Sequence, residues 1–178
     1  MLAGVLAFGW LSTGTGTAEP PTTPAASTPT GAGTVGSASA GPVAMAAPGL
    51  DPHRAAVCRA VVAALPAALP DALPDLARRR VSAGEEQNAA YGDPPITLAC
   101  GGVAAPSVAP TARVYPLSGV CWYAVERPDA IVWTTLDREI PVEVSVPRRY
   151  ESPGQWVIVF SAPVAAAMPI TTAKPGGC

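Results

Sequence analysis

Histidine and lysine are almost missing from this chain: His53 is the one histidine among 178 residues, and Lys174 the one lysine. A nucleophilic triad needs a base, usually histidine. Such chemistry would have to run through His53 at the start of a helix, or through a Ser/Lys pair built on Lys174 in a Gly/Pro tail. A free Cys100 paired with His53 is a third arrangement, closed once Cys100 is oxidised. Charged residues are 13% of the chain and the net charge is -2, with no basic stripe of the kind nucleic acid demands. A CxxC pair, a phosphate loop, a nucleotide fingerprint and a metal-ligand cluster are missing as well. No cofactor, no metal and no nucleic-acid partner is expected.

The N-terminus lacks something too. "MLAGVLAFGWL" is apolar and uncharged, too short to span a bilayer but suited to the core of an export signal. The cationic stretch that normally precedes such a core is missing, which implies a true start further upstream. Gly16-Thr17-Ala18 offers a small-x-small cleavage site, so residues 1–18 read as a partial signal or anchor segment. A floppy apolar N-terminus on a cytosolic protein is the competing reading. Residues 19–50 are Thr, Ser, Ala, Gly and Pro with a single charge, Glu19. Such a segment cannot bury enough apolar area to offset the entropy of ordering, so it reads as a disordered linker. Residues 51–178 are the expected folded domain, placed outside the cytoplasm, secreted or held to the membrane by the N-terminal segment.

What is present in that domain begins with four cysteines: Cys58, Cys100, Cys121 and Cys178. Their even number and wide spacing behind an export-like leader favour two disulfides over a zinc site. Of the three pairings available, Cys100–Cys121 and Cys58–Cys178 are expected. Cys100 ends one strand and Cys121 begins the next, and a cross-link would pin the "KPGGC" tail.

"DPHRAAVCRAVVAAL" predicts a helix capped by Asp51 with Pro52 in its first turn. Pro66, Pro70 and Pro74 then interrupt the stripe of Leu65, Leu69, Leu73 and Leu76. Three interior prolines cannot sit in one regular helix, so short kinked helical turns are expected, ending on Arg78, Arg79 and Arg80. That triplet suits a solvated helix C-terminus, with binding of anionic groups as the functional alternative. "ITLAC", "VCWYAVE", "IVWTTLD", "PVEVSVP" and "WVIVFS" read as five strands, and "APVAAAM" as a closing short helix. The fold class is α+β: a mostly antiparallel five-stranded sheet, with a proline-broken N-terminal helix and a short C-terminal helix packed on it.

The stretches "YGDPPITLACG", "VCWYAVE" and "TTLDREIPVEVSVPRRY", in this order behind the helix bearing Cys58, resemble the family of unknown function DUF3515 over most of residues 54–178. The chain departs from the family pattern at Tyr91 and Ala99, where a tryptophan and an arginine are usual. The resemblance implies a secreted or membrane-anchored actinobacterial protein and says nothing of an activity.

Candidate chemistry narrows to carboxylates: Asp93, Asp137, Glu139 and Glu143 lie in or near the predicted sheet. Asp93 in "GDPP" can close an Asx-type turn before a strand stiffened by prolines. Asp137 and Arg138 suit an exposed ion pair between two strands, worth little. The reading is an exported cell-envelope domain acting by binding or structural support, with cell-wall or envelope components as partners. The rival is an extracytoplasmic hydrolase using Asp93 or Asp137 as acid or base.

Overall fold

The computed structural model describes residue 9 and residues 41–70, 76–102, 106–171 and 178. The expectations for most of residues 1–40, for Leu73 and Pro74, and for Lys174 lie outside these residues.

Helix α1 (Pro52–Ala63) starts as its sequence dictates: Asp51 caps it, accepting from the Arg54 N–H at 3.0 Å, and Pro52 follows. That hydrogen bond holds the Asp51 carboxyl below its ordinary range. Cys58, Val61 and Val62 are its buried face.

The proline-rich stretch beyond it is not helical in its described residues, 65–70 and 76–80. It forms a short antiparallel pair, β1 (Ala68–Leu69) and β2 (Leu76–Arg79), with Leu69 opposite Leu76. The leucine spacing mimicked a helix, but prolines that donate no hydrogen bond are tolerated at a sheet edge and not in a helix interior. The arginine triplet therefore runs along and just past β2 rather than ending a helix. Arg78 still meets a helix C-terminus, donating to the Val62 carbonyl of α1 at 3.2 Å.

The remaining strands are β3 (Asn88–Tyr91), β4 (Ile96–Cys100), β5 (Val114–Leu117), β6 (Val120–Glu126), β7 (Ala130–Thr135) and β8 (Val142–Pro147). All pairings between named strands are antiparallel, in the order β1-β2-β3-β4-β8-β7-β6-β5. The α+β class holds, but the sheet has eight strands, not five. Two four-stranded meanders, β1–β4 and β5–β8, meet along β4 and β8. The β5–β6 hairpin turns through Ser118 and Gly119 with φ of 45° and 79°, the double positive φ that a two-residue turn of matching twist needs.

"WVIVFS" is not a strand. It belongs to helix α2 (Pro153–Ala167), together with the "APVAAAM" stretch as far as Ala167. Val157, Phe160, Ser161 and Val164 are buried, a helical spacing. A short unbroken apolar run reads equally as a buried strand or a buried helix. Both helices contribute to one core against the sheet residues Tyr91, Leu98, Trp122 and Val144. Trp122 Nε1 donates to Ser161 Oγ at 3.0 Å, and Ser161 Oγ donates to the Val157 carbonyl one turn back.

On the other face a strap of residues 41–48 lies along the sheet. Val43 bridges Val81, Asn88 donates to Ala46 O, and Gln87 to Pro48 O. Val43, Val81 and Ala90 form a small second cluster there. These ten residues before Asp51 are part of the packed structure, although their composition reads as linker.

Candidate functional site

The disulfides frame the site and differ from the expected pairing. Cys58 is bonded to Cys100, tying α1 to β4, and Cys121 to Cys178, tying the start of β6 to the C-terminus. The Cys100–Cys121 bridge fails because β4 does not return into β6. Two strands, β8 and β7, lie between them, which at about 4.8 Å per strand separates the two by roughly 14 Å. With Cys100 oxidised and fully buried, a Cys100/His53 nucleophile is closed. His53 instead faces Glu139, with Nε2 to Oε1 at 3.2 Å.

Asp137 is not part of an exposed pair. Asp137 and Arg138 are 3% and 5% exposed, against the expectation of a solvated turn. Asp137 Oδ1 accepts from the Cys121 N–H at 3.1 Å and Oδ2 lies 3.1 Å from Arg138 Nη1. Arg138 Nη2 donates to the Gly119 carbonyl, and the Asp137 carbonyl accepts from Thr171 N. Every contact joins a turn, a strand start or the C-terminal segment, so this pair locks the end of the sheet beside the Cys121–Cys178 bridge.

Asp93 sits at the opposite end. Its bond to Pro94 is cis, and its carboxylate lies 3.5 Å from Arg79 Nη1. Tyr150 Oη donates to the Pro94 carbonyl at 2.8 Å and ties the turn to the segment after β8. Burial pushes the Tyr150 phenol up, opposed by Arg149 and reinforced by the Asp93 charge. Gly92 adopts a φ of +70°, and a Cβ there would meet Tyr150 Oη and Leu76 Cδ2 at 2.9 Å. Thr97 pairs with Ser145 and Cys100 with Val142, so Asp93 and Asp137 flank opposite ends of this four-pair ladder, roughly 15–20 Å apart. The two carboxylates do not converge.

Tyr91, where the resemblance led to the expectation of a tryptophan, is fully buried. Its ring centroid lies 5.8 Å from that of Phe160, and its hydroxyl donates to Pro66 O. It is a core residue, not a stacking platform.

What converges was not singled out by sequence. The sheet face away from the helices carries a cleft of about 440 Å³ lined by Thr97, Ser145, Asp129 and Arg149, with Pro94, Pro95 and Pro147 as apolar walls. The strap supplies Val43 and Ala44 to it. The side chains of Thr97, Ser145 and Asp129 make no hydrogen bond with the described residues, and Arg149 only overlies the Tyr150 ring at 5.7 Å. Glu143 lies two residues before Ser145 on the same face of β8, and burial pushes its carboxyl up against the pull of Arg127. Two hydroxyls flanked by one acid and one base can hydrogen-bond a polar ligand, and the prolines give it apolar edges. Among the described residues no group of three or more His, Cys, Asp or Glu is placed to hold a metal ion. No helix among them is long and apolar enough to cross a membrane.

A disulfide-closed α+β domain with an open, polar-lined sheet face is thus the class of protein defined. The family model of DUF3515, a protein of unknown function, matches residues 22–172, and the chain belongs to that family. No curated protein and no solved structure matches it. The two disulfides suit an oxidising, extracytoplasmic compartment.

Proposed function

We propose that this chain is an extracytoplasmic domain of the actinobacterial cell envelope, held at the membrane through its N-terminal segment, and that it binds an envelope component in the open-face cleft. The observation that carries this reading is the cleft itself. The side chains of Asp129, Thr97 and Ser145 make no hydrogen bond with the described residues and Arg149 overlies the Tyr150 ring, whereas Asp93 and Asp137 are engaged in holding turns. Co-sedimentation with isolated cell-wall material tests it. Wild-type protein is expected in the pellet, and Arg149→Glu, which reverses the charge at the cleft, in the supernatant with an unchanged melting curve. Equal sedimentation of the two proteins, or none of either, would reject the cleft as the binding face.

A further inference from the structure

Helix α2 turns an uncharged surface outward. None of its 15 residues, PGQWVIVFSAPVAAA, is acidic or basic. Val157, Phe160, Ser161 and Val164 fill the core, while Gln155, Ile158, Ala162 and Ala166 are exposed. Spacings of three, four and four residues keep these four on one stripe. Ile158 is 43% exposed, and Ile170, just beyond the helix, 53%. A surface helix normally sets charged side chains against solvent, and one that is apolar all round is covered.

The stripe continues into a groove of about 440 Å³ between α2 and the outer strands. Tyr115, Leu117, Ile131 and Trp133 line it from the sheet face that carries the helices, and Ile158 lines it from α2. The charges beside the groove cancel. Glu126 pairs with Arg148 at 3.0 Å, and Arg113, over the Tyr115 ring at 5.4 Å, offsets Glu151 just before α2. The stripe, roughly 22 Å long and about 10 Å wide, covers on the order of 220 Å². A stable dimer takes about 800 Å² from each partner. A small apolar contact suffices where a second attachment already holds the molecule near a surface.

We propose that α2 lies on the surface of the lipid bilayer, its apolar stripe at the boundary of headgroups and acyl chains, with a lipid chain entering the groove. This rests on the reading that the N-terminal segment holds the domain at the membrane. At 15 residues α2 is too short to span, so it lies along the surface. Residues 12–40 separate the apolar N-terminal stretch from the strap, and a chain of that length reaches at most roughly 100 Å. That is enough to pass around the domain to the strap on the far face. The open-face cleft, across the sheet from α2, then points away from the bilayer.

Photolabelling of the full chain on phosphatidylcholine/phosphatidylglycerol vesicles, with a diazirine in the acyl chain of one lipid, tests this. Label is expected on residues 153–167 and on residues 1–18, and not on the strap, residues 41–48. High salt should leave it unchanged. Ile158→Asp should weaken the α2 label about tenfold, the loss of one buried isoleucine side chain, with the N-terminal label and the melting curve unchanged. Ala166→Asp, on the same stripe, should act in the same direction. Label confined to residues 1–18 overturns the α2 contact and leaves the anchor standing. Label on α2 without label on residues 1–18 supports the contact and rejects the anchor. An α2 label equal in wild type and both variants overturns the proposal. So does a vesicle-free dimer in analytical ultracentrifugation that Ile158→Asp dissociates, which would assign the face to a second copy of the chain.

Discussion

Asp137 and Cys121 are joined by a 3.1 Å hydrogen bond in which a buried carboxylate accepts from the backbone N–H of a half-cystine. The same carboxylate faces Arg138, whose guanidinium reaches the β5–β6 turn at Gly119. One side chain thus organises a hairpin, a strand start and a disulfide.

Asp137→Asn keeps an acceptor for Cys121 but leaves the buried Arg138 without its counter-charge. Breaking a buried pair from one side costs about 3 kcal/mol or more. A lower melting temperature by thermal circular dichroism is expected. An unchanged one would mean that the pair contributes nothing to the fold.

Asp93→Asn should be milder. The Arg79–Asp93 pair has side chains 18% and 44% exposed, and pairs so open to solvent contribute about 1 kcal/mol or less. Tyr150→Phe, which deletes the hydrogen bond to Pro94 O, should cost about 1 kcal/mol. Urea unfolding of the two variants side by side checks both, and a loss well above this for Asp93→Asn would assign it a larger structural role.

Non-reducing peptide mapping should recover Cys58–Cys100 and Cys121–Cys178. The bridges close sequence separations of 42 and 57 residues. On the chain-entropy model each is worth about 4 kcal/mol, against a typical total of ~5–15 kcal/mol. Reduction of both is expected to unfold the domain at moderate temperature. A native-like circular dichroism spectrum with four titratable thiols would contradict that.

Glu143 makes stability depend on pH in a defined direction. Its folded-state pKa lies above the ordinary value because burial disfavours the charge, so the folded state binds its proton more tightly than the unfolded chain does. Its contribution is favourable at acid pH and is lost as pH rises from about 4, the ordinary glutamate range, through the raised folded value. Glu143→Gln should therefore raise the melting temperature at pH 7 and leave it little changed below about pH 4. Equal shifts at both pH values would rule out a titrating Glu143 as the cause.

Much of the fold was written in local pattern. Val142, Val144 and Val146 alternate with Glu143 and Ser145 along β8, and the burial follows that alternation residue by residue. Asp51 and Pro52 announced α1. "WVIVFS" could not be assigned in the same way, because its five consecutive apolar residues carry no period. Its helical spacing emerges only when Val164, beyond the run, is counted with Val157 and Phe160. β5 was missed altogether: Pro116 lies within it, and it is an edge strand, where a proline is tolerated. The cleft was not legible at all. Thr97 and Ser145 meet only because β4 pairs with β8, and no short-range pattern encodes that pairing. The same long-range fact decided the disulfides.

The meeting of β4 with β8 has a consequence for how the molecule comes apart. Cys58–Cys100 lies wholly on the side of the first meander and Cys121–Cys178 wholly on the side of the second. Neither covalent bridge crosses the joint. A backbone cut between Pro106 and Pro110 would leave two polypeptides, each cyclised by its own disulfide and held to the other only by strand pairing and the shared core. Such a pair should migrate as one body in native gels and separate in denaturant without any reductant. It is a split protein in waiting, whose halves could be made apart and brought back together.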